Sequence, residues 1–147
     1  MKHPTIIIGA CEWIGLPDLG VNRLRARIDT GAKTSALHVS DLEPFRKRGQ
    51  DWLRFRVPVG TPRPNRYVDC EAKMVNVRKV RNTSGELEER FCIDTRIMIG
   101  FTQWNAEITL TCRKKMRYRM LLGRTAMSHH ALVDPGSRYI QGFPSQP

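Results

Sequence analysis

Hydrophobic and polar residues alternate along most of this chain. Leu24, Ala26 and Ile28 interleave with Arg23, Arg25 and Arg27, the two-residue period of a strand with one buried face. The period recurs at Leu53, Phe55, Val57 and Val59, at Phe91, Ile93, Thr95, Ile97 and Ile99, and at Ala106, Ile108, Leu110 and Cys112. Met116, Tyr118 and Met120 alternate with Arg117 and Arg119. Residues 5–9 predict a first strand buried on both faces. Residues 67–80 are strand-like but change phase: Val68, Cys70, Ala72 and Met74 share one parity, Val75 and Val77 the other, so a bulge is expected near Met74. Residues 33–39 are short and mixed, and Pro44 limits any helix after them.

Turn signals separate these stretches. Residues 15–20 and 60–65 are loops by composition, and Gly100 closes the longest alternating run. Asn82-Thr83-Ser84-Gly85-Glu86 is a polar hairpin tip between residues 77–81 and 87–93. With nine prolines, eleven glycines and no repeat or low-complexity segment, the pattern predicts an all-β barrel or sandwich. A length of 147 residues suits one domain, residues 1–147, with a core over about 5–140 and a C-terminal tail at 141–147 whose last few residues are expected to fray.

Charge adds a partner class. Twenty-five basic against 14 acidic residues leave +11, which favours nucleic acid, a ribosomal surface, an anionic membrane or an acidic peptide. The apolar run at residues 5–9 is too short for a signal-peptide core, and no stretch is long enough to span a bilayer, so no membrane is expected as partner. Cys11, Cys70, Cys92 and Cys112 lack any Cys-x-x-Cys pair; free thiols and a cytoplasmic location are the expectation.

The candidate chemistry sits where the arginine-rich strand ends. Asp29-Thr30-Gly31-Ala32 puts a carboxylate, a hydroxyl and a turn-permitting glycine on a loop tip. By itself that tetrapeptide reads as a turn. A second segment changes its weight: Met120-Leu121-Leu122-Gly123-Arg124 is an apolar strand end closed by glycine, and Thr125-Ala126-Met127 opens a short helix. Together these segments resemble the retropepsin-like aspartic peptidases, whose subunit carries Asp-Thr-Gly-Ala early and two large aliphatics plus Gly, often Gly-Arg, late. The match is closer to a bacterial branch whose members bear the name ATP-dependent zinc protease. Residues 27–38 and 116–126 carry it, with Trp104-Asn105-Ala106-Glu107-Ile108-Thr109-Leu110-Thr111 and Leu132-Val133-Asp134-Pro135 in support. It runs over roughly residues 9–140.

The resemblance implies a closed acid-protease-like barrel, with a flap hairpin carrying Thr83, Ser84 and Gly85 over the substrate and one short helix after Gly123. It implies that Asp29 is catalytic, that Thr30 bonds across a two-fold axis, and that Gly31 and Ala32 leave room for a backbone amide at the carboxylate. Leu121, Leu122 and Gly123 would brace the loop from behind. Arg124 is expected to pair with an acid of its own chain or, secondarily, to contact substrate. Lys33 and His38 follow the bacterial branch; His38 has a titrating or metal-binding reading beside a structural one.

Aspartic-peptidase chemistry needs two carboxylates sharing a proton. Asp134 lies in an Asp-Pro turn without Thr-Gly and reads as structural. The second carboxylate is therefore expected from Asp29 of another copy, in a homodimer. The residues support neither zinc nor ATP: His129-His130 has no Glu at metallopeptidase spacing, and Gly-x-x-x-x-Gly-Lys is absent. No cofactor or resident metal is expected. Some relatives accompany a ligase that adds glutamates to a small-subunit ribosomal protein, which implies an acidic tail, including that modified ribosomal protein, as substrate. Two alternatives stay open: a basic β-barrel that binds RNA or ribosomes without catalysis, through residues such as Arg54, Arg56 and Trp52, and a peptidase fold kept as a dimerisation scaffold.

Overall fold

The alternating stretches become strands. In the computed structural model, residues 3–60, 63–81, 84–112 and 117–145 are described. In chain order the strands are β1 (Ile6–Ile8), β2 (Cys11–Leu16), β3 (Val21–Ile28), β4 (Ser35–His38), β5 (Ser40–Lys47), β6 (Gln50–Val59), β7 (Arg66–Lys73), β8 (Asn76–Arg81), β9 (Leu87–Ile99), β10 (Thr102–Thr111), β11 (Met120–Leu122) and β12 (Ala131–Val133). A single-turn helix, α1 (Arg124–Met127), lies between β11 and β12.

Six strands close a barrel in the order β10-β4-β11-β3-β2-β9, with β9 returning to pair with β10. Closure leaves the barrel no free edge. Its inward positions are those the alternation marked: Leu24, Ala26 and Ile28 on β3, Ile93, Ile97 and Ile99 on β9, Ala106, Ile108 and Leu110 on β10 are all buried. The polar partners of that period, Arg23, Arg27 and Arg96, face water. β11 arrives last and wedges between earlier strands. It runs parallel to β3 with Leu122 opposite Ile28, and antiparallel to β4 with Leu121 opposite Ala36. That insertion brings two segments some ninety residues apart to one end of the barrel.

A three-stranded sheet, β5-β6-β7, packs against the barrel through Leu53, Phe55 and Val57, each fully buried. Pro44 sits in β5, an edge strand of that sheet, where a missing N–H costs no ladder bond to a second neighbour. The hairpin expected around residue 84 is present as β8 and β9, with Arg81 opposite Leu87. β9 pairs with β10 only from Cys92 onward, so its first residues pair with β8 alone and extend past the barrel ladder.

Three expectations need correction. Residues 67–80 are not one bulged strand. β7 belongs to the three-stranded sheet and β8 to the barrel sheet. Between them the Met74 amide donates to Asp51 O at 3.0 Å and the Val75 amide to Cys92 O at 2.9 Å. The change of phase therefore marks a change of sheet. β1 is buried on one face only: Ile8 is inaccessible while Ile7 is 53% exposed, because β1 pairs with β12 alone in a two-stranded parallel ladder. The tail is tied down as far as residue 145. Gln141 Nε2 donates to Ile7 O at 2.8 Å, and the Ser145 amide to Gly100 O at 2.9 Å. Gln146 and Pro147 lie outside the described residues. All four cysteines are unpaired, and Cys112 is the exposed one. No helix among the described residues is long and apolar enough to cross a membrane.

Candidate active site

Asp29 is the first residue after β3, and its backbone stays in the parallel ladder: its amide donates to Leu122 O at 2.9 Å. The chain then turns. The Ala32 amide reaches back to Asp29 O at 3.2 Å, and the Gly31 amide donates to Asp29 Oδ1 at 2.9 Å. This is an Asx-type turn, in which the side chain takes the place of a backbone acceptor. It fixes one carboxylate oxygen and leaves the other without a hydrogen-bond partner among the described residues. Thr30 and Gly31 are exposed, so the loop tip faces outward.

The β11–α1 junction clamps this loop from behind. The Arg124 amide donates to Ala32 O at 2.8 Å and the Thr125 amide to Lys33 O at 3.1 Å, while Thr125 Oγ1 reaches the same carbonyl at 2.9 Å. The Gly123 amide donates to Ser35 Oγ at 3.0 Å in a buried contact. Gly123 is glycine for space: a Cβ there would sit 2.6 Å from Thr34 O and 3.0 Å from Ala32 O. Its φ of −95° is open to any residue. The need is therefore steric. Leu122 is buried in the barrel core and Leu121, facing the other side of the strand, is half-buried.

Arg124 differs from expectation. Its guanidinium pairs with no acid among the described residues; it donates to Thr30 O at 3.2 Å and Gly31 O at 3.0 Å. The two carbonyls at the tip point toward the short helix, and a single terminal nitrogen of Arg124, Nη1, donates to both. Arg124 thus braces the tip through the backbone. Lys33 contributes its carbonyl to the clamp while its side chain is exposed. His38 stands at the opposite end of β4 from Ser35, its amide bonded to Arg119 O. Burial, and then the charge of Arg119, push its imidazole below the usual histidine range. It is apart from the Asp29 loop. Thr83 lies outside the described residues; Ser84 and Gly85 are exposed at the β8–β9 turn.

Three positions have structural roles that the sequence reading did not assign to them. Ser35 is inaccessible and fixes Gly123. Trp104 Nε1 donates to Ala126 O at 2.8 Å, anchoring α1 to β10. Glu12 is inaccessible, yet accepts from the Gly9 amide at 2.7 Å, the Ile140 amide at 3.0 Å and the Gln141 amide at 3.1 Å. An acid inside the otherwise apolar stretch Cys11–Leu16 is the one signal that could have found Glu12. Asp134 holds its own turn, accepting from the Gly136 amide and the Ser137 hydroxyl. Among the described residues no three His, Cys, Asp or Glu side chains gather as a metal site.

Asp29 at the end of a barrel strand, with a late Leu-Leu-Gly strand inserted beside it, is a retropepsin-like arrangement. A family model described as RimB-like, retropepsin-like aspartic endopeptidase RimB, matches residues 7–144. The chain belongs to the RimB-like family.

Its curated relatives are longer. It is 41% identical over 143 residues to a Shewanella halifaxensis protein named "Probable alpha-L-glutamate ligase", covering 97% of this chain and 31% of that one. A Parasynechococcus marenigrum protein of the same name is 44% identical over 138 residues, with 93% and 29% covered. The chain thus spans about a third of the curated relatives it matches, and the ligase name belongs to those whole proteins. Among solved structures it is similar to Lpg0085 of Legionella pneumophila, a protein of unknown function, with a TM-score of 0.78 and 30% identity over 94% of this chain and 99% of that one. The RimB-like fold is therefore shared by a protein of nearly this extent.

Proposed function

We propose that this RimB-like chain is an aspartic peptidase that works as a homodimer and cuts acidic peptide tails. The observation that carries the reading is the Asp29 loop. One carboxylate oxygen is pinned by the Gly31 amide, the other is open, and the Asp29 amide and the carbonyls of residues 30–33 are bonded from β11 and α1. That is half of a two-carboxylate site, rigid before any partner arrives. A second copy supplies the other Asp29 across a two-fold axis. The pair then shares one proton: one carboxylate takes a proton from water as it attacks the scissile carbonyl, and the other protonates the leaving amine. Thr30 would bond across the axis, and the β8–β9 hairpin would close over the substrate as a flap.

Two observations favour an acidic substrate, a glutamate-extended ribosomal protein among the candidates. The chain carries +11. Domains like it also occur within longer proteins named for glutamate ligation, so a hydrolase acting on glutamate chains would reverse its neighbour's chemistry. The test is cleavage of a peptide ending in several glutamates, followed by mass spectrometry, with Asp29→Asn alongside. Cleavage by the parent and none by the folded variant is expected. Turnover that survives in pure Asp29→Asn protein would sink the aspartic mechanism. Equal cleavage of a lysine-tailed peptide would sink the substrate class.

A further inference from the structure

A second site lies four residues back from Asp29 along β3, about 13 Å at 3.3 Å per residue. A cleft of about 520 Å³ opens there between the barrel and the three-stranded sheet, lined by Arg23, Arg25, Arg66 and Arg119 together with Trp13 and Phe143. No acid lines it among the described residues. Every salt bridge found among those residues uses other cations: Arg46, Lys47, Arg54, Arg56, Arg78, Arg90 and Arg96. Among the described residues, then, many strand arginines have a carboxylate partner and these four, gathered in one cleft, have none.

The cost of that arrangement is visible. Burial is the main cause that lowers the pKa of Arg119; nearby Tyr67 acts the other way and raises it, and the charge of Arg25 lowers it again. The Nε atoms of both are buried and have no hydrogen-bond partner. Arg119 spends one terminal nitrogen on Gly60 O at 3.0 Å; Arg25 lies over the Tyr118 ring and beside the Tyr139 hydroxyl. Two half-buried like charges, each with one buried and unpartnered donor, gain from an anion that completes them. At the other end, the Arg23 guanidinium sits 3.9 Å from the Phe143 ring centroid and 5.7 Å from that of Trp13, whose rings are 5.3 Å apart. An aromatic floor therefore adjoins the anion end.

We propose that this cleft binds the phosphate of a nucleotide, with phosphate oxygens on Arg25, Arg119 and Arg66 and the base against Trp13 and Phe143. Phosphate is favoured over a single carboxylate because a planar carboxylate saturates one guanidinium fork, whereas a tetrahedral dianion accepts from several at once. The volume suits one nucleotide. A free mononucleotide and the end of an RNA strand present the same chemistry. The site uses none of the residues around Asp29, so it stands or falls apart from the peptidase reading.

The test titrates the full chain with inorganic phosphate, adenosine monophosphate, and a short single-stranded RNA bearing a 5′-phosphate. Two readouts are followed: the thermal midpoint and tryptophan fluorescence, to which Trp13 contributes from within the cleft. A saturable response to phosphate is expected, with a rise on the order of 5–10 °C at a hundred times its dissociation constant. Adenosine monophosphate should bind about tenfold tighter, through the base on the aromatic floor. Arg119→Met should lose the phosphate response yet melt no lower than the parent in its absence, since it removes one of two uncompensated charges. Asp29→Asn should respond as the parent does. RNA binding tighter than the mononucleotide assigns the site to RNA, and the reverse assigns it to the free nucleotide. The proposal is overturned by no saturable response to phosphate or mononucleotide up to tens of millimolar, or by one that persists in the Arg25→Met, Arg119→Met double variant. It is equally overturned if a glutamate-tailed peptide saturates the cleft and phosphate does not compete.

Discussion

Gly123→Ala tests whether the late strand really holds the catalytic-type loop. The added Cβ would lie 2.6 Å from both the carbonyl carbon and oxygen of Thr34, and 3.0 Å from Ala32 O, where ordinary contact begins near 3.4 Å. About 0.8 Å of movement is needed, and all three obstacles are backbone atoms. Neither side can yield cheaply. Ala32 O already accepts the Arg124 amide at 2.8 Å, and the Gly123 amide is itself held by Ser35. Overpacking of this kind costs about 1–3 kcal/mol. Losing or stretching the Arg124–Ala32 bond adds roughly 1 kcal/mol, so the total is about 2–4 kcal/mol. The backbone of Gly123 is extended, so alanine brings no conformational strain to confuse the result. Gly136→Ala is the control, because its nearest neighbour would be Asp134 Oδ1 at 3.5 Å; a change under about 0.5 kcal/mol is expected there. Denaturant melts give the energies, and amide exchange at residues 29–33 locates the damage. If Gly123→Ala matched the control in stability and left exchange in that loop unchanged, the clamp described here would be wrong.

The remaining predictions address other supports. Arg124→Met removes two bonds from an exposed guanidinium and should cost only about 1 kcal/mol in a urea melt. It should still cut the proposed peptidase turnover at least about tenfold by loosening the tip, and Arg124→Lys should restore part of it, because both bonds come from one nitrogen and an ammonium carries a donor for each carbonyl. Glu12→Gln can keep an oxygen for the Gly9 and Ile140 amides but then sets its NH₂ against the Gln141 amide, so a loss of about 1–3 kcal/mol is expected by denaturant melt, with residues 140–141 exchanging faster. His38 has a folded pKa below its usual 6.5, burial being the larger cause. The unfolded chain therefore binds the proton first, and stability present above pH 6.5 is lost as pH falls toward the folded value. His38→Leu should flatten that slope, and a melt series from pH 5 to 8 with an unchanged slope would show that another group carries it.

What could be read from the sequence divides along physical lines. Strand faces were legible because a two-residue period reports burial directly: Leu53, Phe55 and Val57 on β6 and the inward residues of β9 all fall where the alternation put them. The clamp was legible in outline, since Gly123 after two leucines signals a strand end under close approach. Its chemistry was not. Arg124 reads as an ion-pair donor because charge suggests a charged partner, yet its acceptors are carbonyls whose direction is set by a turn ninety residues away. The same limit hid Glu12, whose three donors come from residues 9, 140 and 141. Long-range backbone acceptors leave no mark on side-chain patterns.

The phase change at Met74 was visible but misread, and the reason bears on function. A bulge and a sheet switch both reverse parity, and only pairing partners separate them. Here the switch carries the chain from the outer sheet into the β8–β9 hairpin, so the sheet that walls the arginine cleft and the hairpin proposed as the flap are joined by two residues, Met74 and Val75. Both amides at that joint are hydrogen-bonded, one to each sheet. A ligand that tightened the cleft against the outer sheet would therefore pull on the base of the hairpin through Met74 and Val75, and on the Asp29 loop through β3, which carries Arg25 and leads into Asp29. Any effect of cleft occupancy on the proposed peptidase activity should then appear in substrate affinity, through the hairpin, and in turnover, through β3.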